Sequence, residues 1–318
     1  MSNKSNNNGR AYEYACVLAL ESILQNLSLS YKIVENSSIE TNKTTFLSAD
    51  KDTQALYILS ARAGLKTIKE LEPMLISKNS DQIIIKAVQD GEGELGDVRD
   101  IILNRADANW EIGLSIKHNH AAVKHSRLSP TIDFGLEWFN RPCSDQYWSD
   151  IKPIFERLSN LKEQKALWSD IPDKYDTVYV PLLKAFENEL KRNVAIDDSF
   201  VPDMIKYLIG VKDYHKIESN DSKRVTLVYC FNLYGTLGRS DGNNKPVKEI
   251  PKVSLPEHIY DISFKKNSKT TLIITFDAGW SLSFRLHNAS SRVEKSLKFD
   301  VQYVGLPVGV LQFKTAWD

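Results

Sequence analysis

The sequence predicts a mixed α/β protein of the α+β type, with a β-rich C-terminal part. Three observations lead to this fold class: helical periodicity in the N-terminal part, a β-hairpin pattern before residue 118, and short β runs after residue 221 that are divided by Gly, Asn and Pro. A composition shift near residues 216–224 predicts two parts, 1–215 with most of the helices and 216–318 rich in strands, which can pack as one domain.

The N-terminal elements follow from hydrophobic spacing. Between residues 11 and 29 the apolar positions Tyr14, Val17, Leu18 and Leu24 fall near one stripe of a helix. Two further helical segments end at Pro73, because proline cannot continue a helix. The predicted helices are 11–29, 50–63 and 65–71, and the predicted strands are 31–34 and 81–88.

A glycine-rich turn over residues 91–97 (GEGELGD) precedes a predicted β-hairpin. Its first strand covers residues 100–105 and its second covers 110–117, with the short connection Ala-Asp-Ala-Asn between them. The second strand alternates strictly, so that Ile112, Leu114 and Ile116 share the face that is predicted to be buried.

The remaining elements divide into a helical and a β-rich stretch. Residues 133–214 are predicted to be mainly helical, and 178–190 and 201–209 show the clearest helical pattern. The β runs that follow are 225–235, 261–264, 270–277, 280–289 and 297–305.

Composition excludes some classes of protein. The chain has 318 residues, of which 42% are hydrophobic and 26% charged, as in an ordinary packed soluble protein. No run of about eighteen apolar residues predicts a membrane span, and the polar start predicts no signal peptide, so we expect a cytoplasmic protein. The three cysteines lie far apart and are expected to be buried thiols.

The formal net charge is zero, whereas many nucleic-acid-binding domains are basic. This value argues mildly against nucleic-acid binding. Local clustering of cations matters more than the sum, because phosphates contact only one face of a protein.

The hairpin brings a carboxylate and a lysine together. When the two strands fold about residues 107 and 108, Asp100 falls opposite Lys117 at the same end. This arrangement suits a metal-dependent phosphodiesterase, in which the carboxylate holds Mg²⁺ and the lysine stabilises developing negative charge. The same two residues are equally compatible with a surface hairpin that ends in a salt bridge.

The hairpin itself offers no second carboxylate near the lysine. Glu111 shares the face of Lys117, but six residues of strand separate the two by roughly 20 Å. Ser115 occupies the position two residues before the lysine. The second carboxylate must therefore come from another segment, and the candidates are Glu13, Glu137 and, with less support, Glu92 and Glu94.

A run without acidic residues extends from Lys117 to Arg127. The letters HNH at 118–120 do not predict an HNH nuclease, whose ligands come from separated positions. His118 and His120 could bind a transition metal if the chain is extended there. The residues that we instead expect to contact DNA phosphate, sugar or base are Asn119, His120, Lys124 and Arg127.

Several long motifs resemble the HaeIII-type restriction endonucleases. They are GDVRDIIL, WEIGLSIKHNHAAVKHSRLSP, the later WSLSFRLHNASSRVEKSLKFDVQ and the starting NNNGRAYEYACVLALE, and the resemblance runs over the whole chain. It implies the PD-(D/E)xK nuclease fold, a mixed β-sheet flanked by helices, with the catalytic aspartate and the (D/E)xK triplet on adjacent strands. By position, Asp100 matches the aspartate and Lys117 matches the lysine.

The chain departs from the family pattern at Ser115, where the triplet normally carries Asp or Glu. Related nucleases with an SxK triplet move the acid to a neighbouring helix. Relatives in the superfamily also carry a glutamate on the first helix in a GxxxE-like context, which Gly9 to Glu13 matches. The resemblance therefore favours Glu13 over Glu137 as the second metal ligand. Asp100 is preferred to Asp97 as the first, because it begins the strand and pairs with the end of the hairpin that carries the lysine.

The resemblance also implies a substrate and partners. The implied substrate is double-stranded DNA with the palindrome GGCC, which is cut to blunt ends with Mg²⁺. Residues 1–215 would form the nuclease core, and residues 216–318 would form the part that recognises DNA. A DNA methyltransferase that protects the same site is implied in the host, and a palindrome suits a homodimer.

A site of G·C pairs presents guanine acceptors and cytosine donors in the major groove. The motif FRLHNASSR supplies side chains that can meet them or the phosphates, although it could also be an ordinary sheet edge with a polar turn. The candidates are Arg285, His287, Asn288 and Arg292.

Two other functions remain compatible with the sequence. A structure-selective nuclease of repair or junction resolution would use the same core and cut without a shared sequence. A non-catalytic DNA-binding module would use Asp100 and Lys117 only as a salt bridge, and it would bind DNA equally with Mg²⁺ or EDTA.

Overall fold

The computed structural model describes residues 2–78, 81–89, 96–119, 122–124 and 126–317, with side chains described from residue 7 onward. The chain divides into two compact units. The seven-stranded unit comprises Asn3–Ala121, Gly210–Ser254 and Val308–Asp318. The five-stranded unit comprises Met1–Ser2, Ala122–Ile209 and Leu255–Pro307.

The seven-stranded unit contains a mixed sheet in the order β1-β2-β3-β4-β6-β7-β12. β1 and β2 are parallel, as are β4 and β6, and the other neighbours are antiparallel. Its strands are β1 (Tyr31–Val34), β2 (Ile83–Ala87), β3 (Ile101–Arg105), β4 (Trp110–His118), β6 (Tyr214–Asn220), β7 (Val225–Phe231) and β12 (Leu311–Ala316). Its helices are α1 (Ser2–Asn26), α2 (Ser37–Ser48), α3 (Lys51–Leu71) and α4 (Pro73–Ile76).

Helix α3 packs closely on the sheet. A Cβ atom at Gly64 would lie 2.9 Å from Ile217 Cγ2 and 3.0 Å from Thr226 Cγ2, so only glycine allows this approach. The predicted break at this position is absent, and α3 is continuous. The core of the unit joins apolar residues of α1, α3, β2, β3 and β4, and burying them provides the main stabilisation.

The five-stranded unit contains an antiparallel sheet in the order β5-β11-β10-β9-β8. Its strands are β5 (Arg127–Leu128), β8 (Ile259–Phe264), β9 (Thr271–Phe276), β10 (Ser281–His287) and β11 (Leu297–Gly305). Its helices are α5 (Phe134–Phe139), α6 (Asp145–Glu163), α7 (Val180–Ile196) and α8 (Phe200–Ile209). Rings from α5, α7, β10 and β11 form its aromatic core, where Phe186 lies 4.9 Å from Phe299.

The mixed α/β class and the β-hairpin are confirmed. β3 and β4 pair antiparallel, with Ile101 opposite Leu114. β1 and β11 have the predicted bounds, and the cysteines are buried thiols. Among the described residues, no helix is long and apolar enough to cross a membrane.

The sequence prediction missed several elements: α2, β5, β6 and β12. β6 begins at Tyr214 and continues into the stretch 216–224, where the composition shift was expected to mark a boundary, and it pairs with β4 in the sheet. The two compact units are therefore interleaved along the chain, whereas a single boundary near residue 216 was expected. The assignment of DNA recognition to residues 216–318 stays a prediction.

Candidate active site

Asp100 and Lys117 meet at one end of the β3–β4 hairpin. The backbone N–H of Asp100 donates to the carbonyl of Leu114 at 2.8 Å, which fixes the residue just before β3. Asp100 Oδ2 accepts from the backbone N–H of Ile116 at 2.5 Å and from Lys117 Nζ at 3.0 Å. The expected proximity of the carboxylate and the lysine is therefore present in the structure.

Glu13 joins this pair from helix α1. Its Oε2 accepts from Asn42 Nδ2 at 2.8 Å, which anchors the carboxyl to α2. Burial and the nearby charge of Asp100 raise the pKa of Glu13 to about 8, against the opposing effect of Lys117. We call these three residues, Glu13, Asp100 and Lys117, the acid–lysine cluster.

The lysine of the cluster stays charged. Burial lowers the pKa of Lys117, but the carboxylates of Asp100 and Glu13 outweigh burial and the net shift is upward. A cation on this side chain is therefore available to interact with a phosphate group.

The cluster fits a magnesium ion. Two nearby carboxyl groups resist simultaneous ionisation, and a divalent cation would relieve that repulsion. Mg²⁺ usually takes one or two protein carboxylates and keeps several waters. No group of three or more His, Cys, Asp and Glu side chains suited to a metal occurs among the described residues, so nothing there provides a zinc-type ligand set.

Strand β6 places two charged residues beside the cluster. In the parallel register of β4 and β6, Ser115 lies next to Lys216 and Lys117 lies next to Glu218. Ser115 is only 3% exposed, and Lys216 and Glu218 are also buried. Lys216 Nζ lies 3.4 Å from Glu218 Oε2.

Neither Lys216 nor Glu218 was predicted from the sequence as a site residue. Burial lowers the pKa of Lys216 to about 8, with Glu218 opposing the shift and Lys117 reinforcing it. A signal was available: Lys216 and Glu218 alternate about Ile217, as residues on one face of a strand do. The stretch was instead interpreted as a boundary because of its polar composition.

Asp97 takes part in a different interaction. Arg99 donates to Asp97 Oδ2 at 2.6 Å and to Glu111 Oε1 at 2.7 Å. The Arg99 side chain crosses Gly113, where a Cβ atom would lie within 1.9 Å of its Cδ. This salt-bridge network engages Asp97 and Glu111, and so supports Asp100 as the carboxylate that serves the cluster.

The other acidic candidates were Glu137, Glu92 and Glu94. Glu137 is exposed on α5 in the five-stranded unit, and its charge raises the pKa of Tyr207 after the larger effect of burial. Its role as a metal ligand stays a prediction. Glu92 and Glu94 lie outside the described residues.

Asp221 contacts His118, the last residue of β4, and Asn119, which follows it. His118 Nε2 lies 2.9 Å from Asp221 Oδ2, and the His118 ring packs 4.8 Å from that of Tyr57. Burial lowers the pKa of His118 despite this carboxylate. Asn119 has a positive φ of 51°, and its side chain donates to Asp221 Oδ2 at 2.7 Å and accepts from the Asp221 N–H at 2.8 Å.

Asn119 therefore links the end of β4 to the segment that follows β6, and its predicted contact with DNA would require these hydrogen bonds to be exchanged. His120 lies outside the described residues.

The other residues of the basic run lie in the five-stranded unit. Lys124 Nζ lies 4.4 Å above the ring centroid of Tyr207, a cation–π contact. Arg127 is exposed on β5 and donates to Ser296 Oγ at 2.9 Å.

The FRLHNASSR motif forms the end of β10 and the turn that follows. Asn288 Nδ2 donates to the carbonyls of Ser290 and Arg292, at 2.5 and 2.7 Å, and so closes the turn. His287 Nδ1 lies 3.2 Å from the carbonyl oxygen of Asn288. Arg285 and Arg292 remain exposed. The DNA-binding roles predicted for these four residues are untested by the fold.

Comparison with known proteins identifies relatives. The family of the HaeIII restriction endonuclease matches residues 9–307. The type II restriction enzyme HaeIII of Haemophilus aegyptius is 45% identical over 323 aligned positions, which cover 100% of both chains. At that identity the two are distinct proteins. No solved structure matches the chain.

Proposed function

The chain belongs to the HaeIII restriction endonuclease family and is accordingly a type II restriction endonuclease, and we propose that it cuts double-stranded DNA at GGCC to blunt ends with Mg²⁺. The family match supports the reaction class. The GGCC recognition sequence and the blunt cut are supported by the sequence resemblance. The metal is supported by that resemblance and by the chemistry of the acid–lysine cluster.

The single observation that carries the proposal is the acid–lysine cluster. Its residues come from α1, from the position just before β3 and from β4, and the 3.0 Å contact between Asp100 and Lys117 joins the two sides of the hairpin. Mutually perturbed pKa values of this kind are typical of catalytic sites.

We assign Asp100 and Glu13 as the side chains that would hold Mg²⁺. When bound, the ion would polarise the phosphate and lower the pKa of a coordinated water. Glu13, with a pKa of about 8, carries a proton in a large share of molecules near neutral pH and must lose it to become a ligand.

Lys117 is assigned to the phosphate. Its ammonium group is held by Asp100, remains positively charged, and can stabilise the negative charge that develops as water attacks. Ser115 carries no charge of its own, and we assign Glu13, whose pKa responds to Asp100 and Lys117, as the carboxylate that replaces the acid of the usual triplet.

Two partners follow from this function. A DNA methyltransferase acting on the same sequence would protect the host genome, and it would be a functional partner without a lasting physical contact. A homodimer would match the two-fold symmetry of a palindrome.

The test is to incubate linear plasmid DNA with the purified protein, with Mg²⁺ in one tube and EDTA in the other, and to sequence the fragment ends. Blunt ends that appear only with Mg²⁺ and share GGCC are the expected result. Ends without a common sequence would replace the proposal with a structure-selective nuclease. Intact DNA in both tubes, together with equal DNA binding, would leave the cluster as a structural salt bridge.

A further inference from the structure

The outer face of the five-stranded sheet carries a compact group of charged side chains. On β10, Phe284 points into the aromatic core, 5.7 Å from Phe186 of α7. Side chains alternate along a strand, so Ser283, Arg285 and His287 point to the opposite face. That face is the side of the sheet opposite the aromatic core.

Strand register brings further polar residues to the same face. Arg285 lies opposite Asp300, His287 opposite Lys298, and Ser283 opposite Gln302 on β11. Lys298 in turn lies opposite Arg127 on β5. We call this set the β-face patch: Arg127, Arg285, His287, Lys298, Asp300 and Gln302.

Cations outnumber anions in the β-face patch. Arg127, Arg285 and Lys298 are basic, and Asp300 is the acidic member. Burial and then the charge of Arg127 lower the pKa of Lys298, with Asp300 opposing. Gathering like charges on one surface is unfavourable unless an anion binds there, and DNA phosphates meet this condition.

The Arg285 side chain is oriented by Asp300 and remains partly exposed. Its Nη2 lies 3.4 Å from Asp300 Oδ2, and the side chain is still 56% exposed, whereas that of Asp300 is only 8% exposed. Gln302 Nε2 donates to Asp300 Oδ2 at 3.0 Å, which fixes the carboxylate from the other side. The exposed part of the guanidinium fork is thus oriented by a buried anchor.

We propose that the β-face patch binds the major groove of DNA and that Arg285 reads a guanine of the target through its O6 and N7 acceptors. Arginine suits these acceptors in a bidentate contact, and the major groove admits β-strands as well as helices. Asp300 and Gln302 position the arginine, and Arg127 and Lys298 contact phosphates. The inference rests on the proposed function and names residues that determine its specificity.

The experiment measures DNA binding by fluorescence anisotropy, with Ca²⁺ in place of Mg²⁺. It uses a short duplex with GGCC and a second duplex in which one G·C pair of the site is inverted. Arg285→Lys keeps the positive charge and the neighbouring Asp300, but it lacks the planar guanidinium group that can donate two parallel hydrogen bonds to guanine. Arg157→Lys, at an arginine of α6 that contacts Asp173 at 2.9 Å, is the matched control.

Arg285→Lys is expected to weaken binding to the GGCC duplex on the order of 10- to 100-fold while binding to the inverted duplex changes by less than about 3-fold. The Arg157→Lys control should leave the ratio of the two affinities unchanged. Lys298→Ala should weaken both duplexes alike and reduce the salt dependence by about one phosphate contact. Lys266→Ala, at an exposed turn between β8 and β9, is its control.

An unchanged affinity ratio in Arg285→Lys would overturn the inference, whatever the stability of the variant. The wild-type protein separates this result from a failure of the proposed function. If wild type cuts at GGCC and Arg285→Lys discriminates as well as wild type, only the reading role is wrong. If wild type shows no metal-dependent cutting at a shared sequence, the proposed function fails first and the inference with it.

Discussion

At the scale of single residues, Glu13 is the group whose charge state most depends on its surroundings. Burial and the charge of Asp100 raise its pKa from 4.5 to about 8. The folded protein therefore keeps a proton that the unfolded chain has already released in this interval. The contribution of Glu13 to the free energy of unfolding therefore falls as pH rises from about 4.5 to about 8, and it is constant above that range.

Glu13→Gln removes this effect, because glutamine does not ionise. Without metal, its melting temperature relative to wild type should rise between pH 5 and pH 8 and then level off. Glu40→Gln, at an exposed glutamate of α2, is the matched control for the loss of a surface carboxyl group. Thermal unfolding at a series of pH values checks the prediction, and parallel curves for Glu13→Gln and wild type would contradict it.

A second residue-scale prediction concerns the pair of Glu72 and His215. The two side chains are fully buried, and His215 Nε2 lies 2.7 Å from Glu72 Oε1. Burial lowers the pKa of His215, but Cys230 and Glu72 outweigh it and raise the value to about 10. Removing the carboxylate leaves a buried imidazole that has lost its partner.

Glu72→Ala should lower the free energy of unfolding by about 3–5 kcal/mol. Glu70→Ala, at an exposed position of the same helical segment, should change it by less than about 0.5 kcal/mol. Chemical denaturation of both variants provides the measurement. An equally small change in the free energy of unfolding of both variants would contradict the prediction, because the buried pair would then contribute little to stability.

The site was only partly predictable from the sequence. Asp100 and Lys117 follow from strand alternation and hairpin closure, which are local. Glu13 required the placement of α1 against the hairpin, which local patterns do not define, so several acids stayed open. Lys216 and Glu218 were missed because charged residues usually indicate solvent exposure, whereas here they lie in a buried strand.

At the scale of elements, the contact of α3 with β6 and β7 depends on a single glycine. In an exposed helix, Gly→Ala stabilises by up to about 1 kcal/mol. At Gly64 the added methyl would meet Ile217 and Thr226 at 3.0 Å or less. The steric cost of overpacking, typically about 1–3 kcal/mol, should exceed the gain in helix propensity.

Gly64→Ala is therefore expected to lower the melting temperature. Gly9→Ala is the matched control, because Gly9 also lies in a helix but has no atom within 4 Å of an added Cβ. That variant should be neutral or slightly stabilised. A stabilised Gly64→Ala protein would mean that α3 lies farther from the sheet than described.

Elements with local patterns were predicted well, and elements defined by distant pairing were not. The bounds of β11 follow from its own alternation and its flanking turns. β6 pairs in parallel with β4, although the segment Ala122–Ile209, which contains the helices of the five-stranded unit, lies between them in sequence. β12 carries Gln312, Lys314 and Thr315, and its identity as a strand depends on β7 beside it.

At the scale of the whole molecule, the net charge of zero conceals an uneven distribution. The β-face patch gathers three basic residues and one acidic residue, while acidic side chains elsewhere balance the total. The acid–lysine cluster and the β-face patch belong to different compact units. Cutting and recognition should therefore be separable by mutation. Composition could not predict this, because it contains no information on which charges share a face.

The measurement that tests the central claim most directly is the single-turnover rate of GGCC cleavage with Mg²⁺ for Asp100→Ala and Lys117→Ala, with binding measured in parallel. Both variants are expected to fold and to lose at least about 100-fold in rate, and Lys117→Ala should still prefer the GGCC duplex. The Glu111→Ala control, at a carboxylate engaged by Arg99, should cut at a rate near that of wild type. Full cleavage by Asp100→Ala would contradict the account, because the acid–lysine cluster would then not be the active site.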